Sequence, residues 1–197
     1  MNELKLNNKR TILVGLAFLS ICAFWQMYDN LVPLILGRTF HMDESLTGVI
    51  MAADNILALF LLPLFGSLSD RCRETRVGRR TPFILAGTGA AVVLMNLLPI
   101  LDNSYFKQAA PFKLVSFVIV LGLLLIAMGT YRSPAVALMP DVTPKPLRSR
   151  ANAIINLMGA VGGVLYLGVT AALYPAARTQ GLDHVNYQPL FVIVSVI

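Results

Sequence analysis

Long apolar runs, each closed by a short polar or basic stretch, follow one another along the whole chain. A bilayer's hydrocarbon core takes about 20 helical residues to cross. Five runs reach that length, at residues 11–36, 46–68, 81–101, 114–138 and 151–173. A sixth opens near Pro189 and is met only as far as Ile197. Some nine helical residues rise only ~14 Å, so this sixth helix is expected to be incomplete, with no polar end or cap. The pattern predicts an all-α integral membrane bundle.

Composition supports that reading and narrows it. Hydrophobic residues make up 56% of the chain and charged ones 13%, with a mean hydropathy of +0.70. A soluble domain carries about 25% charged residues to solvate its surface, so most of this surface need not face water. The net charge of +6 does not imply a nucleic-acid partner, because the basic residues sit in short stretches between apolar runs. Lys5, Lys9, Arg10, then Arg71, Arg73, Arg76, Arg79 and Arg80, then Lys145, Arg148 and Arg150 place eleven of them on one side. The alternate loops hold four, Arg38, Lys107, Lys113 and Arg178. Excess Lys and Arg marks the cytoplasmic side, which predicts a cytoplasmic N-terminus.

Other features change little. Cys22 falls inside the first run and Cys72 in a basic loop, depths that argue against a disulfide, and no metal-ligand spacing is present. The first apolar run is too long for a cleaved signal and no small-residue cleavage site follows it. Gly159, Gly162, Gly163 and Gly168 are read as packing residues that let helix backbones approach in lipid.

The informative positions are the ionisable residues within the spans, since a charge at mid-membrane costs about 2.5–3.5 kcal/mol and normally faces a cavity or a partner. Asp29 lies seven residues before the outer end of the first span and Asp54 eight residues into the second. Those offsets place them ~10 Å and ~12 Å deep, in one stratum of the outer half. Gln26 and Asn30, four apart, share a helical face, Trp25 and Asp29 share the adjacent stripe, and Asn55 follows Asp54. Carboxylates, carboxamides and an aromatic ring suit a pocket for a hydroxylated solute. A carboxylate in a poorly hydrated site is also a candidate proton carrier. The alternative is that Asp29 and Asp54 cap or pair near a helix end. Arg132, six residues from the inner end of the fourth span, sits ~9 Å from that boundary. It either faces a cavity, with Asn156 at a similar level as a bonding partner, or snorkels to the interface. By these depths it lies a layer below the two carboxylates.

Two stretches carry a resemblance. The loop between the second and third spans reads Gly66-Ser-Leu-Ser-Asp70-Arg71, then Gly78-Arg79-Arg80-Thr-Pro-Phe. This resembles the corresponding loop of the major facilitator superfamily, with the longer spacer 72–77 similar to glycoside–pentoside–hexuronide cation symporters and the sucrose-transporter-like branch. Tyr131-Arg132-Ser-Pro134-Ala135 leading to Asp141, then Arg148-x-Arg150-Ala-Asn152-Ala153, is similar to the helix 4–5 region of the same branch. The resemblance implies the N-terminal six-helix bundle of a twelve-helix fold, with the C-terminal half absent and a substrate site between halves. It also implies a cytoplasmic charge latch at Gly66, Asp70, Arg71, Gly78, Arg79 and Arg80, with Asp141 and Arg148 or Arg150 as its neighbouring part.

The expected activity is therefore cation-coupled, proton-driven symport of a sugar or glycoside across the inner or plasma membrane, with no cofactor beyond the coupling ion. Gln26, Asp29, Asn30, Asp54, Asn55, Arg132 and Asn156 are the candidate pathway residues. The rivals are a drug or metabolite exporter of the same superfamily, whose pockets are usually more apolar, and a non-transporting membrane assembly partner. A membrane-embedded enzyme is disfavoured: His41 and His184 fall in outer loops without ligand spacing, and no nucleophile–base set is present. The expected partners are a small solute, the lipid bilayer and the missing half.

Overall fold

The computed structural model describes residues 8–72, 78–179 and 181–197. Five long helices are apolar enough to cross a membrane: α1 (Asn8–Arg38), α2 (Glu44–Arg71), α3 (Thr81–Lys107), α4 (Pro111–Val142) and α5 (Arg148–Leu173). A 3-10 turn (Lys145–Leu147) leads into α5, a short helix α6 (Ala176–Thr179) follows it, and α7 (Gln188–Val196) occupies the sixth apolar run. Lys5, Arg73 and Arg76, counted above among the basic residues, lie outside the described residues.

The helix starts follow local chemistry. Asp43 caps α2 by accepting the Ser45 amide at 3.0 Å, and prolines open α3, α4 and α7, where a missing N–H costs nothing. The helices overrun the apolar runs at several ends. Past residue 101, where the third apolar run closes, α3 continues as helix to Lys107, with Asp102 buried in that added stretch. Prolines inside α1, α2, α3 and α4 are tolerated where neighbouring helices and side chains satisfy the freed backbone groups. Pro33 removes the donor that would meet the carbonyl of Asp29, four residues earlier.

α1 is the hub. It packs along α5 and meets α4, while α3 lies along α4 and α2 leans on α4. The buried core is strung along α1 (Phe24, Met27, Tyr28, Leu31) and completed by Phe117, Tyr166 and Phe191. α2 buries only Ser69, and its Val49, Ile56, Leu59 and Phe60 are exposed, an apolar surface that lipid or further protein accepts without cost.

Small residues set the closest crossings. A Cβ on Gly162 would collide with the Leu19 carbonyl, one on Gly159 would come within 2.9 Å of Cys22 Sγ, and one on Gly87 within 2.8 Å of the Tyr131 amide nitrogen. Gly168 has open space around it, so the packing role expected for all four α5 glycines belongs to Gly159 and Gly162 most clearly. Hydroxyls tie the same helices: Tyr131 donates to the Ala17 carbonyl at 3.0 Å, and Ser133 to the Leu62 carbonyl at 2.8 Å. Both cysteines are free.

Candidate functional site

Midway along the bundle, α1, α2 and α4 enclose a narrow crevice of about 20 Å³, lined among others by Trp25, Asp54, Leu57, Leu125, Gly129 and Arg132. The Arg132 guanidinium lies over the Trp25 ring, 5.3 Å from its centroid, within range of a cation–π attraction. The ring is held by Phe24 at 5.3 Å and Tyr28 at 5.4 Å, both edge-on. Its indole Nε1 and the Tyr28 hydroxyl are buried and meet no hydrogen-bond partner among the described residues. Orphaned donors of this kind are rare in folded proteins, and here they stand beside a carboxylate and a guanidinium.

Asp29 and Asp54 lie near enough to feel each other's charge, and both act on Tyr28. Asp54 accepts from the backbone and side-chain nitrogens of Asn55, at 2.6 and 2.9 Å. Asn30 spends one amide hydrogen on the carbonyl of Gln26 at 2.6 Å, along its own helix. Gln26 itself points toward α5, where a Cβ on Gly163 would stand 3.9 Å from its Oε1.

Two expectations are corrected. Arg132 is not a layer below Asp54; the two line one crevice. α4 itself runs on to Val142, ten residues past Arg132. Nor does Asn156 bond to it. Asn156 is exposed on α5, a helix that packs chiefly on α1, and among the described residues the guanidinium's recorded partner is Trp25.

At the end of the bundle that carries the basic loops, Arg80 joins three helices. Its Nη2 meets Asp70 of α2 at 2.8 Å and its Nε meets Asp141 of α4 at 2.7 Å. Nη1 donates to Ser69 Oγ at 3.3 Å, and Ser69, fully buried, donates to the Gly66 carbonyl at 2.8 Å. Gly66 keeps α2 close to α4, for a Cβ there would press within 3.1 Å of Ser133 Oγ. Gly78 has φ +97°, a conformation that side-chain-bearing residues avoid, and it turns the chain into α3. Arg71 and Arg79 are exposed beside this network, as is Arg150.

Here too one pairing differs from expectation. Asp141 is held by Arg80 rather than by Arg148 or Arg150. Arg148 instead donates to the carbonyls of Pro140 at 2.9 Å and Thr143 at 3.3 Å, closing the C-terminal end of α4, where cations are favoured.

Sequence reasoning missed the opposite end. Asp102, just past the third apolar run, and His184, read as an outer-loop residue, come together there with Thr39 and Asn103. A lone acid directly after an apolar run was the only signal available.

Comparison with known proteins adds independent findings. A family model described as Major Facilitator Superfamily matches residues 14–197. The chain is 31% identical over 147 residues to sucrose transport protein SUC3 of Arabidopsis thaliana, covering 68% of this chain and 24% of that protein. It is 34% identical over 132 residues to SUC4 of the same plant, covering 63% and 26%. It is 30% identical over 158 residues to human solute carrier family 45 member 3, covering 75% and 28%. The chain therefore spans about a quarter of the length of the curated relatives it matches. No solved structure matches it significantly.

Proposed function

The chain belongs to the Major Facilitator Superfamily, and from that premise we propose that it forms the N-terminal part of a proton-coupled sugar or glycoside symporter. It is a multi-pass membrane protein of a transporter family and not an enzyme. In this reading it sits in the inner or plasma membrane with its N-terminus in the cytoplasm, as the distribution of basic loops favours. It works by alternating access against a second half that supplies the other wall of the site.

The observation that carries the reading is the Trp25–Arg132 pair beside Asp54. An indole, a guanidinium and a carboxylate stand together there, the groups that suit the C–H surface and the hydroxyls of a pyranose. A site built to hydrogen-bond hydroxyls rejects analogues lacking them, so the polar set favours a sugar over an apolar drug. The named relatives, sucrose transport proteins, point the same way. A crevice of about 20 Å³ has room for about one water, so it serves as a foothold for one ring edge.

Asp29 and Asp54 are the proton candidates. They stand on the neighbouring helices α1 and α2, and in this reading gain or loss of a proton at either changes how the layer meets solute. At the basic-loop end, Arg80 staples α2, α3 and α4 so that they rock as one body. Asp70 and Asp141 keep much of their surface open, with side chains 60% and 51% exposed, available to the facing half. The testing experiment is uptake of labelled disaccharides by the full-length protein at two pH values. Uptake of one or more, faster at the acidic value and abolished by a protonophore, supports the reading; absence of uptake of every sugar tested, with flux of an apolar cation, removes it.

A further inference from the structure

At the end of the bundle remote from the basic loops, a second titratable cluster stands apart from the crevice. The Asp102 side chain, 1% exposed, lies in the last turns of α3, and the His184 side chain, 10% exposed, reaches it from the 181–187 segment. Neither carboxylate oxygen of Asp102 finds a hydrogen-bond partner among the described residues, although Thr39 is close enough to act on it. His184 Nδ1 is 4.0 Å from Asp102 Oδ1 and 3.2 Å from Thr39 Oγ1. The imidazole stacks on Phe106, 4.3 Å between ring centres and 13° from parallel.

The hydrogen-bond network assigns the imidazole's hydrogens. The Gln188 backbone N–H donates to Asn186 Oδ1 at 3.0 Å, which fixes that oxygen as an acceptor. Asn103 Nδ2 therefore donates to the same oxygen, at 2.9 Å, leaving Asn103 Oδ1 as the acceptor that faces His184 Nε2 at 2.8 Å. So Nε2 carries a hydrogen, and only Nδ1 is left to gain or lose one. In the neutral ring Nδ1 accepts from the Thr39 hydroxyl; in the protonated ring it donates, and Thr39 turns its own hydrogen toward Asp102. Burial pushes the His184 imidazole below its usual range.

We propose that Asp102, Thr39 and His184 form a proton-binding site that latches the 181–187 segment onto the ends of α1 and α3. One proton is held between Asp102 and His184 Nδ1, with the Thr39 hydroxyl as the bridge. With the proton bound, the pair is either an ion pair or two neutral groups, and both are tolerable when buried. With the proton lost, a bare carboxylate without donors is left out of water, a costly state, and the segment must lift to hydrate it. The latch is thus closed at low pH and loosens as pH rises through the site's own titration, a one-proton step that belongs to the pair. Among the described residues, the other charged or titratable groups near it include Arg38 at the end of α1 and His41 just after it, Tyr105 and Lys107 on α3, Lys113 of α4, which donates to the Ser104 carbonyl at 2.9 Å, Tyr174 after α5, and Asp183 and Tyr187 in the segment itself. Arg38 and Asp102 both act on Tyr187, in opposite senses, and Lys107 shares a cleft with His184. Neither Asp29 nor Asp54 is involved, so the site is independent of the proposed transport carboxylates.

The test is amide hydrogen exchange of the 181–187 segment in the full-length protein, in lipid nanodiscs, over a pH series corrected for intrinsic exchange. Protection is expected to fall ~10-fold or more with rising pH in one single-proton step. Asp102→Asn, which removes the charge but not the shape, should leave the segment protected throughout with no step. His184→Gln keeps a donor toward Asn103 and removes Nδ1, and should move the midpoint by ~1 pH unit or more; it decides the question if the Asp102 variant fails to fold. Protection that does not change with pH in the wild type, or a step left in place by Asp102→Asn or unmoved by His184→Gln, overturns the proposal.

Discussion

The Arg132 guanidinium rests over the indole of Trp25, 5.3 Å from the ring centroid, on the same crevice as Asp54. A cation on a π face is held by ~0.5–2 kcal/mol, more when desolvated, and the arrangement aims both partners at the site between α1, α2 and α4. Removing either partner should therefore harm solute binding before it harms folding. Trp25→Ala is expected to raise the KM for sugar uptake ~10-fold, the equivalent of ~1.4 kcal/mol, while Trp25→Phe keeps much of the affinity. Uptake kinetics on the full-length protein check this, and an unchanged KM in the alanine variant would place the solute elsewhere.

Asp29 sits beside Asp54 on a helix whose Pro33 has released the Asp29 carbonyl. Asp29→Asn should abolish the dependence of uptake on external pH while leaving exchange of solute across the membrane measurable. Counterflow and pH-driven uptake, measured side by side, separate the two. An unaltered pH profile sinks the assignment.

Arg80 grips Asp70 and Asp141 while itself only 14% exposed, against two carboxylates more than half open to solvent. Screening limits what such pairs contribute, so Arg80→Ala should cost only about 1 kcal/mol, seen as a drop of a few degrees in Tm. The deficit should shrink in 1 M salt. The larger effect is expected on conformational balance, read as faster labelling of a cysteine placed at the basic-loop end.

Helix crossings give a sharper stability contrast. Gly162→Val drives a side chain into the Leu19 backbone of α1, which cannot swing aside, whereas Gly168→Ala enters open space. The first should lose about 1–3 kcal/mol and the second almost nothing. Thermal unfolding of the two variants in one detergent makes the comparison.

Orientation is checked by labelling. In a full-length protein with every native cysteine replaced, Cys22 and Cys72 included, a single cysteine at Lys113 should react with an impermeant maleimide from outside, and one at Lys145 only after permeabilisation. The opposite result would invert the whole arrangement of loops.

Much of the fold was readable before any coordinates. Apolar length located all five long helices, because in lipid every backbone group must be satisfied within its own segment. Helix ends were harder: α3 stays helical to Lys107, past the apolar run that closes at Leu101, because hydropathy does not mark where a helix stops. Depth along a helix placed Asp29 and Asp54 in one layer, since a rise of 1.5 Å per residue is a local property. The same arithmetic failed for Arg132 relative to Asp54, because their relative level depends on how α2 and α4 pack.

What the amino-acid order determined by itself was the membrane habit, the number of long helices, two carboxylates at similar offsets from the outer ends of the first two apolar runs, and the motif loop with Gly78 at its turn. Each follows from chain length, periodicity or local backbone freedom. Only the tertiary structure decided who meets whom. It gave Asp141 to Arg80 and turned Arg148 onto the end of α4; it laid Arg132 on Trp25 and left Asn156 facing away; and it buried Asp102 against His184, 82 positions later in the chain. Those pairings rest on helix rotation and crossing, set by where glycines let backbones touch, and no local pattern encodes them.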